Sequence, residues 1–303
     1  MSVVTRAHGD DVKLLGEAAR PRRRYLHATT RQLLTVRTTL LGLVIIVGLA
    51  LVAVAAPVLA PEDPVKLQMR RRFQPPSLAH PFGTDEFGRD ILTRVIYGTR
   101  ISFRIAIVAV LVATVCGVAI GLASAYFGGW VDLLLQRVVD VLLAFPGLLL
   151  ALAVIAALGP SITNVMLAVG IGSTPFFARL VRGSVLTVRG EEYVTAARVI
   201  GAGDGRIVGR YILPNVLSPI VVLISQQVGW AVLSAAALSF VGLGAQPPTP
   251  EWGAMLSRGR DYLHEQWWIA TFPGLAIAVM VLGFNLFGDG LRDILDPKTV
   301  TDR

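Results

Sequence analysis

The sequence predicts an all-α integral membrane protein with six transmembrane helices. Two observations carry that expectation. Of its 303 residues, 54% are hydrophobic and only 16% are charged, whereas soluble domains hold about 25% charged residues. The charges also gather between uncharged runs, and a bilayer-spanning helix needs about 20 such apolar residues. A formal net charge of +8 could serve nucleic acid, but its position beside apolar runs fits membrane topology instead. No nucleic-acid partner is expected.

The first run, 40–60, contains no charge. It follows a mostly polar stretch and exceeds the apolar core of a usual secretion signal, so it reads as a retained anchor. The second is 105–131. The stretch 141–178 is uncharged but too long for one span, and Gly159-Pro160-Ser161 is a turn signal that divides it. In 211–250 the ends ILPN and AQPPTP read as loops, which leaves a helix near 218–243. The last span is 266–288. The chain therefore divides into a basic tail (1–37), a first transmembrane helix with its loop (38–100), a core of five helices (101–290) and a C-terminal tail (291–303). The core includes a polar loop at 190–215.

With six spans, both termini and the segment 179–215 share a side. That side carries nearly twice as many Lys and Arg as the other, PRRRY at 21–25 included. The positive-inside bias then places both termini in the cytoplasm of a multi-pass cell-membrane protein. The arginine-rich tail also suits contact with anionic membrane lipid. Cys116 is a lone cysteine inside an apolar run, and His8, His27, His80 and His264 are scattered. No disulfide and no metal site are expected.

One polar stretch interrupts the apolar pattern: EYVTAARVIGAGDGRIVGRYILPN at 192–215. Tyr193, Ala196, Ala197 and Ile200 fall on one face of a short helix, with Glu191 and Glu192 in its first turn. Gly201, Gly203 and Gly205 break that helix. Residues 206–212 offer a second helical piece, which Pro214 is expected to end. An ordinary amphipathic loop helix would show the same pattern. GAGDG lacks the spacing of a phosphate-binding loop, and none of Lys13, Lys66 and Lys298 stands where such a loop needs lysine. Any ATP chemistry therefore belongs to another chain.

The stretch resembles the EAA loop of bacterial ABC importer permeases, E-A-A-x3-G-x9-I-x-L-P. Ala196 and Ala197 hold the alanine positions, Gly201 the glycine, and Leu213-Pro214 the closing pair. It departs in having its acidic residue at Glu192 and Tyr211 where isoleucine is usual. Three further stretches resemble the C-type permeases of dipeptide or oligopeptide importers: HPFGTDEFGRDILTRVIYGTRISF at 80–103, LSFVGLGAQPPTPEWGAML at 238–256 and FGDGLRDILDPK at 287–298. The resemblance implies a type I ABC importer permease whose cytoplasmic loop is a coupling helix for an ATPase. Glu192, Tyr193, Ala196, Ala197, Gly201, Leu213 and Pro214 would form that joint. It implies a second permease as a heterodimeric partner, two ATPase subunits holding ATP and Mg, and an extracytoplasmic peptide-binding protein. No cofactor is expected in this chain.

Within the spans, Gln226 and Gln227 are polar at membrane depth and suit a substrate pathway, although helix–helix hydrogen bonds explain them equally. Ser173 is placed with them, although Ser173 and Thr174 could simply serve backbone freed by Pro175. Asn285 and Asp289 read as anchors of the last span, and Arg137 with Asp140 as an interfacial ion pair. Trp252, Trp267 and Trp268 suit an interface belt. Trp252, Glu251 and Asp85 are candidates for docking a binding protein. A stand-alone ion-coupled carrier would need ionisable groups deep in its helices, and a membrane enzyme a catalytic constellation. The sequence shows neither. Related permeases for metal chelates or sugars share the motifs and stay open at this point.

Overall fold

The computed structural model describes residues 37–295, so the basic tail and the last residues lie outside the described part. The described chain is helical, with one isolated β-bridge, Thr84 to Asp90. Helix α1 is Arg37–Leu59. Helix α2 is Ile91–Phe127, and α3 is Gly129–Ala144. Helix α4 is Gly147–Leu158, and α5 is Ile162–Arg189. The short α6 is Glu192–Val199. Helix α7 runs over Asp204–Phe240 and contains a π-helical turn at Ile207–Ile212. Helices α8, Trp252–Gly259, and α9, Trp268–Leu295, complete the order.

Five of these helices, α1, α2, α5, α7 and α9, are long and apolar enough to cross a bilayer. The expected third span is different: α3 and α4 meet at a bend of 95°. The cause is Pro146, which the turn at 159–161 overshadowed in the sequence. Pro146 has no N–H, and its ring forces the preceding residue out of the helical region. Phe145 accordingly sits at φ −94°, ψ 136°. The 12 residues of α4 span only about 18 Å, short of the roughly 30 Å hydrocarbon core, so a sixth crossing is made only if α3 and α4 act together as one bent span. The turn at 159–161 is present as expected. Gly159 has φ +88°, and the Ser161 hydroxyl caps α5 by accepting from Asn164 N at 3.1 Å.

Helix α2 starts well before its apolar run. Asp90 caps it by accepting from Thr93 N at 2.7 Å, so Arg94, Arg100 and Arg104 are helical. Its 37 residues extend about 55 Å, which carries those arginines toward one end of the bundle. The centre of the fold is the α2–α5 crossing, made close by small residues. A Cβ on Gly117 would lie 2.3 Å from Phe177 Cβ, and one on Gly121 would lie 2.5 Å from Ala178 O. Phe177, Ala178 and Val181 are fully buried there.

Pro214 does not end a helix. It lies in the first turn of the α-helical part of α7, Leu213–Phe240, directly after the π turn. Leu213 N donates to Val208 O, a five-residue reach, so the chain widens just where proline cannot donate. Arg137 and Asp140 are not an ion pair either. Asp140 pairs with Arg179 of α5 at 2.9 Å, with both side chains more than half exposed.

Candidate functional site: the coupling loop

The first helical turn of α6 carries Glu192, and Glu191 is its N-cap in extended conformation. Its buried stripe is Val194 and Ala197. Tyr193, Ala196 and Ile200 form the opposite, exposed stripe. The sequence placed Ala197 with that exposed set, but it is 3% exposed. Val194 and Ala197 sit three residues apart and both face inward. Val199 and Ile200 stand out at 81% and 80% exposure.

The turn after α6 has a definite chemistry. Gly201 N donates to Arg198 O at 3.0 Å and Ala202 N to Ala197 O at 3.0 Å. With Gly201 at φ +82°, this is a Schellman turn, which any L side chain at that position would strain. A Cβ there meets nothing within 4 Å. Glycine is therefore required by backbone conformation, and the space around it is open.

Beneath α6 lies a small core separate from the main one. Ala125 and Tyr126 from the end of α2, Val181 and Val185 from α5, and Val194 meet Ile207, Ile212, Val216 and Ile220 of α7. Polar ties fasten its edge. Tyr126 Oη donates to Asp204 Oδ1 at 2.5 Å, and Arg189 donates to Ala125 O at 2.9 Å. Asn215 donates to Tyr193 Oη at 3.2 Å and to Tyr211 O at 2.5 Å. Although Tyr193 is exposed overall, partial desolvation of its hydroxyl, with Glu191 nearby, raises its pKa. Leu213 packs against this core and Pro214 is half-buried, so the closing pair supports the loop from below. Next to it, Arg182 makes a two-pronged bond to Asp132, with Nε and Nη2 each 2.7 Å from a carboxylate oxygen. Ser124 donates to the same carboxylate. Helices α2, α3 and α5 are thereby locked together beside the loop.

Tyr126, Asp132, Arg182, Val194 and Asp204 were not singled out from the sequence. Asp132 and Arg182 flank apolar runs 50 residues apart, and nothing in their spacing says that they meet.

The three residues expected to line a pathway fall in two neighbouring cavities. Ser173 lines a cavity of about 290 Å³ with Gly147, Phe176, Trp230 and Leu233. Gln226 and Gln227 line an adjoining groove of about 510 Å³ that shares Phe176, Trp230 and Leu233 and adds Asn285. Gln226 reaches Asp289 at 3.5 Å, while the buried Oε1 of Gln227 has no partner among the described residues. Thr174 donates to Gly170 O at 2.9 Å, whereas the carbonyl that Pro175 leaves free is that of Ile171, four residues before it, so this bond does not serve it.

The three residues expected to dock a binding protein offer no surface. Trp252, Glu251 and Asp85 are 1%, 2% and 4% exposed. Trp252 Nε1 donates to Val95 O at 3.0 Å. Glu251 caps α8 through Gly253 N at 2.9 Å and Ala254 N at 2.8 Å, and burial pushes its pKa up. Asp85 binds Arg89 Nε at 2.6 Å. Each is turned inward because its polar atoms find partners there. Trp268 is likewise buried, donating to Thr84 O at 3.2 Å. Trp267, half exposed, is free to serve an interface.

Residues 117–301 match the profile of the binding-protein-dependent transport system inner membrane components. The chain belongs to this family. Residues 25–76 also match the N-terminal transmembrane domain of oligopeptide transport permease C. Among curated relatives, the dipeptide transport system permease DppC of Alkalihalophilus pseudofirmus is 47% identical, over 88% of each chain. The probable D,D-dipeptide permease DdpC of Escherichia coli K12 is 46% identical over 86% of this chain and 87% of its own. The glutathione permease GsiD of Pectobacterium atrosepticum is 52% identical over 74% of each. A chain of the inward-facing MetNI methionine ABC transporter shares the fold at TM-score 0.56 and 17% identity, covering 67% of this chain and 97% of that one. A chain of an amino acid ABC transporter superposes at TM-score 0.51 with 17% identity, covering 65% of this chain and 92% of that one. This binding-protein-dependent permease is thus a type I importer transport subunit and not an enzyme. Membership of the family implies ATPase and substrate-binding partners.

Proposed function

We propose that the chain forms half of the translocation pathway of an ATP-driven di- or oligopeptide importer. In this reading α6 seats in a cytoplasmic ATPase. The observation that carries it is the exposed apolar stripe of Tyr193, Ala196, Val199 and Ile200 standing on a small core of its own. Exposed apolar side chains without a partner in the chain suit an interface, and the core beneath transmits force instead of absorbing it. The peptide class is supported by the relatives named for dipeptide and glutathione transport.

The same reading places both termini and α6 in the cytoplasm. It assigns ATP and Mg to two partner ATPase subunits and a second, different permease to the other half of the pathway. A peptide-binding protein would dock at the opposite end, on surface other than Trp252, Glu251 and Asp85. Ser173, Gln226 and Gln227 line the route, where amide groups bond a peptide backbone without selecting side chains.

Affinity purification of the tagged chain from its native membrane tests this. Recovery of a second permease and ATPases, with ATP-dependent dipeptide uptake after reconstitution, is the expected result. A chain that purifies alone in several mild detergents, or an assembly that moves no peptide, contradicts it.

A further inference from the structure

The end of the bundle opposite α6 holds a cavity of about 140 Å³ whose lining includes Arg89, Arg94 and Arg258 with Ser239, Thr249 and Ser257, and no carboxylate. Arg89 and Arg94 are each 3% exposed, so they form its floor. Arg258, with its side chain 32% exposed, stands at its mouth. The carboxylates that partner these arginines lie on their other side. Asp85 binds Arg89 Nε at 2.6 Å and approaches Arg94 Nε at 3.7 Å. Glu86 lies 3.6 Å from Arg89 and 3.2 Å from Arg258. Three guanidinium groups thus share two carboxylates. Arg94 Nη1 spends its hydrogen bonds on the carbonyls of Pro64 at 2.7 Å and Pro248 at 3.4 Å. A guanidinium carries five N–H donors, far more than these contacts use.

We infer that this cavity is a binding site for a single small carboxylate. The three guanidinium groups outnumber the two carboxylates that pair with them, Glu251 being held instead by Gly253 N and Ala254 N, and arginine presents paired donors that match a carboxylate. The volume equals roughly four to five waters at about 30 Å³ each, enough for a carboxylate group and little more. The carboxylate can come from a free small anion or from the C-terminus of a peptide; only the second source rests on the proposed substrate class.

The test uses the full chain, with whatever subunits co-purify, in detergent. Ionic strength and buffer are held constant and identical for every variant, so that any competition by the buffer anion is common to all. Acetate is titrated calorimetrically into the wild type, Arg258→Gln and Arg260→Gln, the last an exposed arginine outside the lining. Saturable binding by the wild type and Arg260→Gln, weakened about tenfold or more in Arg258→Gln, is expected from the loss of one charged hydrogen-bonding partner. Gln246→Glu, which sets a carboxylate at the mouth, is expected to weaken acetate similarly and serves if Arg258→Gln fails to fold. Competition by Ala-Ala but not by its C-terminal amide identifies the peptide source, whereas acetate binding without competition by either identifies free anions. Absent or unsaturable acetate binding, equal binding by both site variants and the wild type, or equal competition by the amide overturns the site.

Discussion

At the coupling end, Val199 and Ile200 stand 81% and 80% exposed, while at the opposite end Trp252, also in a glycine-rich polar stretch, is 1% exposed. The contrast extends to charge. Around α8 the ions Asp85, Arg89 and Arg94 are almost completely buried and bound to one another. Around α6, Glu192, Arg198 and Arg206 are exposed. Glycines differ as well. A Cβ on Gly98 would lie 2.6 Å from the Trp252 ring, whereas one on Gly201 meets nothing. One end is closed upon itself and the other is left open on a small core of its own, the contrast expected if α6 receives an ATPase as proposed.

The largest expected effect lies at the closed end. Asp85→Ala leaves Arg89 and Arg94 without their shared carboxylate, and removing one partner of a buried pair costs about 3–5 kcal/mol. A steep fall in the melting temperature of the purified chain is the outcome that supports closure. An unchanged melting temperature would erase the contrast between the ends.

Gly201→Val comes next. It forces a side chain into the left-handed region at a cost of about 1–2 kcal/mol, without steric conflict inside the chain. Thermal stability should fall modestly while ATPase stimulation in the reconstituted assembly falls far more. Equal losses in both would show that the turn serves folding alone.

Tyr126→Phe removes the bond to Asp204 at a cost of about 1 kcal/mol. Amide exchange across 202–207 should quicken, with α2 itself unchanged. Slow exchange retained there would mean that the small core alone holds the loop.

The smallest stability effect is expected for Ile200→Ser, within about 0.5 kcal/mol because the residue is on the surface. ATPase recovery on purification should nevertheless drop. If recovery is unaffected, the exposed stripe is not the contact.

The helical membrane architecture and the place of α6 were legible because both follow from local periodicity. Long uncharged runs have few alternatives to transmembrane helices, and glycine after an amphipathic turn marks a helix end. The 95° break between α3 and α4 was written in Pro146 but masked by an uncharged run that continues through it. The role of Pro214 was misread because a proline that cannot continue one hydrogen-bond pattern can start the next. Neither Trp252 nor Glu251 announces its burial, since whether a polar loop faces water or protein depends on what folds over it.

The sequence by itself determined the class of this protein, its approximate spans and the position of the short helix α6, since each rests on residues close together in the chain. Tertiary structure alone decided which α6 residues are exposed, that Asp132 holds Arg182 and Tyr126 holds Asp204, and that Arg89, Arg94 and Arg258 line one cavity. Asp132 and Arg182 are 50 positions apart, Tyr126 and Asp204 are 78 apart, and Arg258 stands 169 positions from Arg89; burial and charge compensation at such separations are properties of the packed bundle.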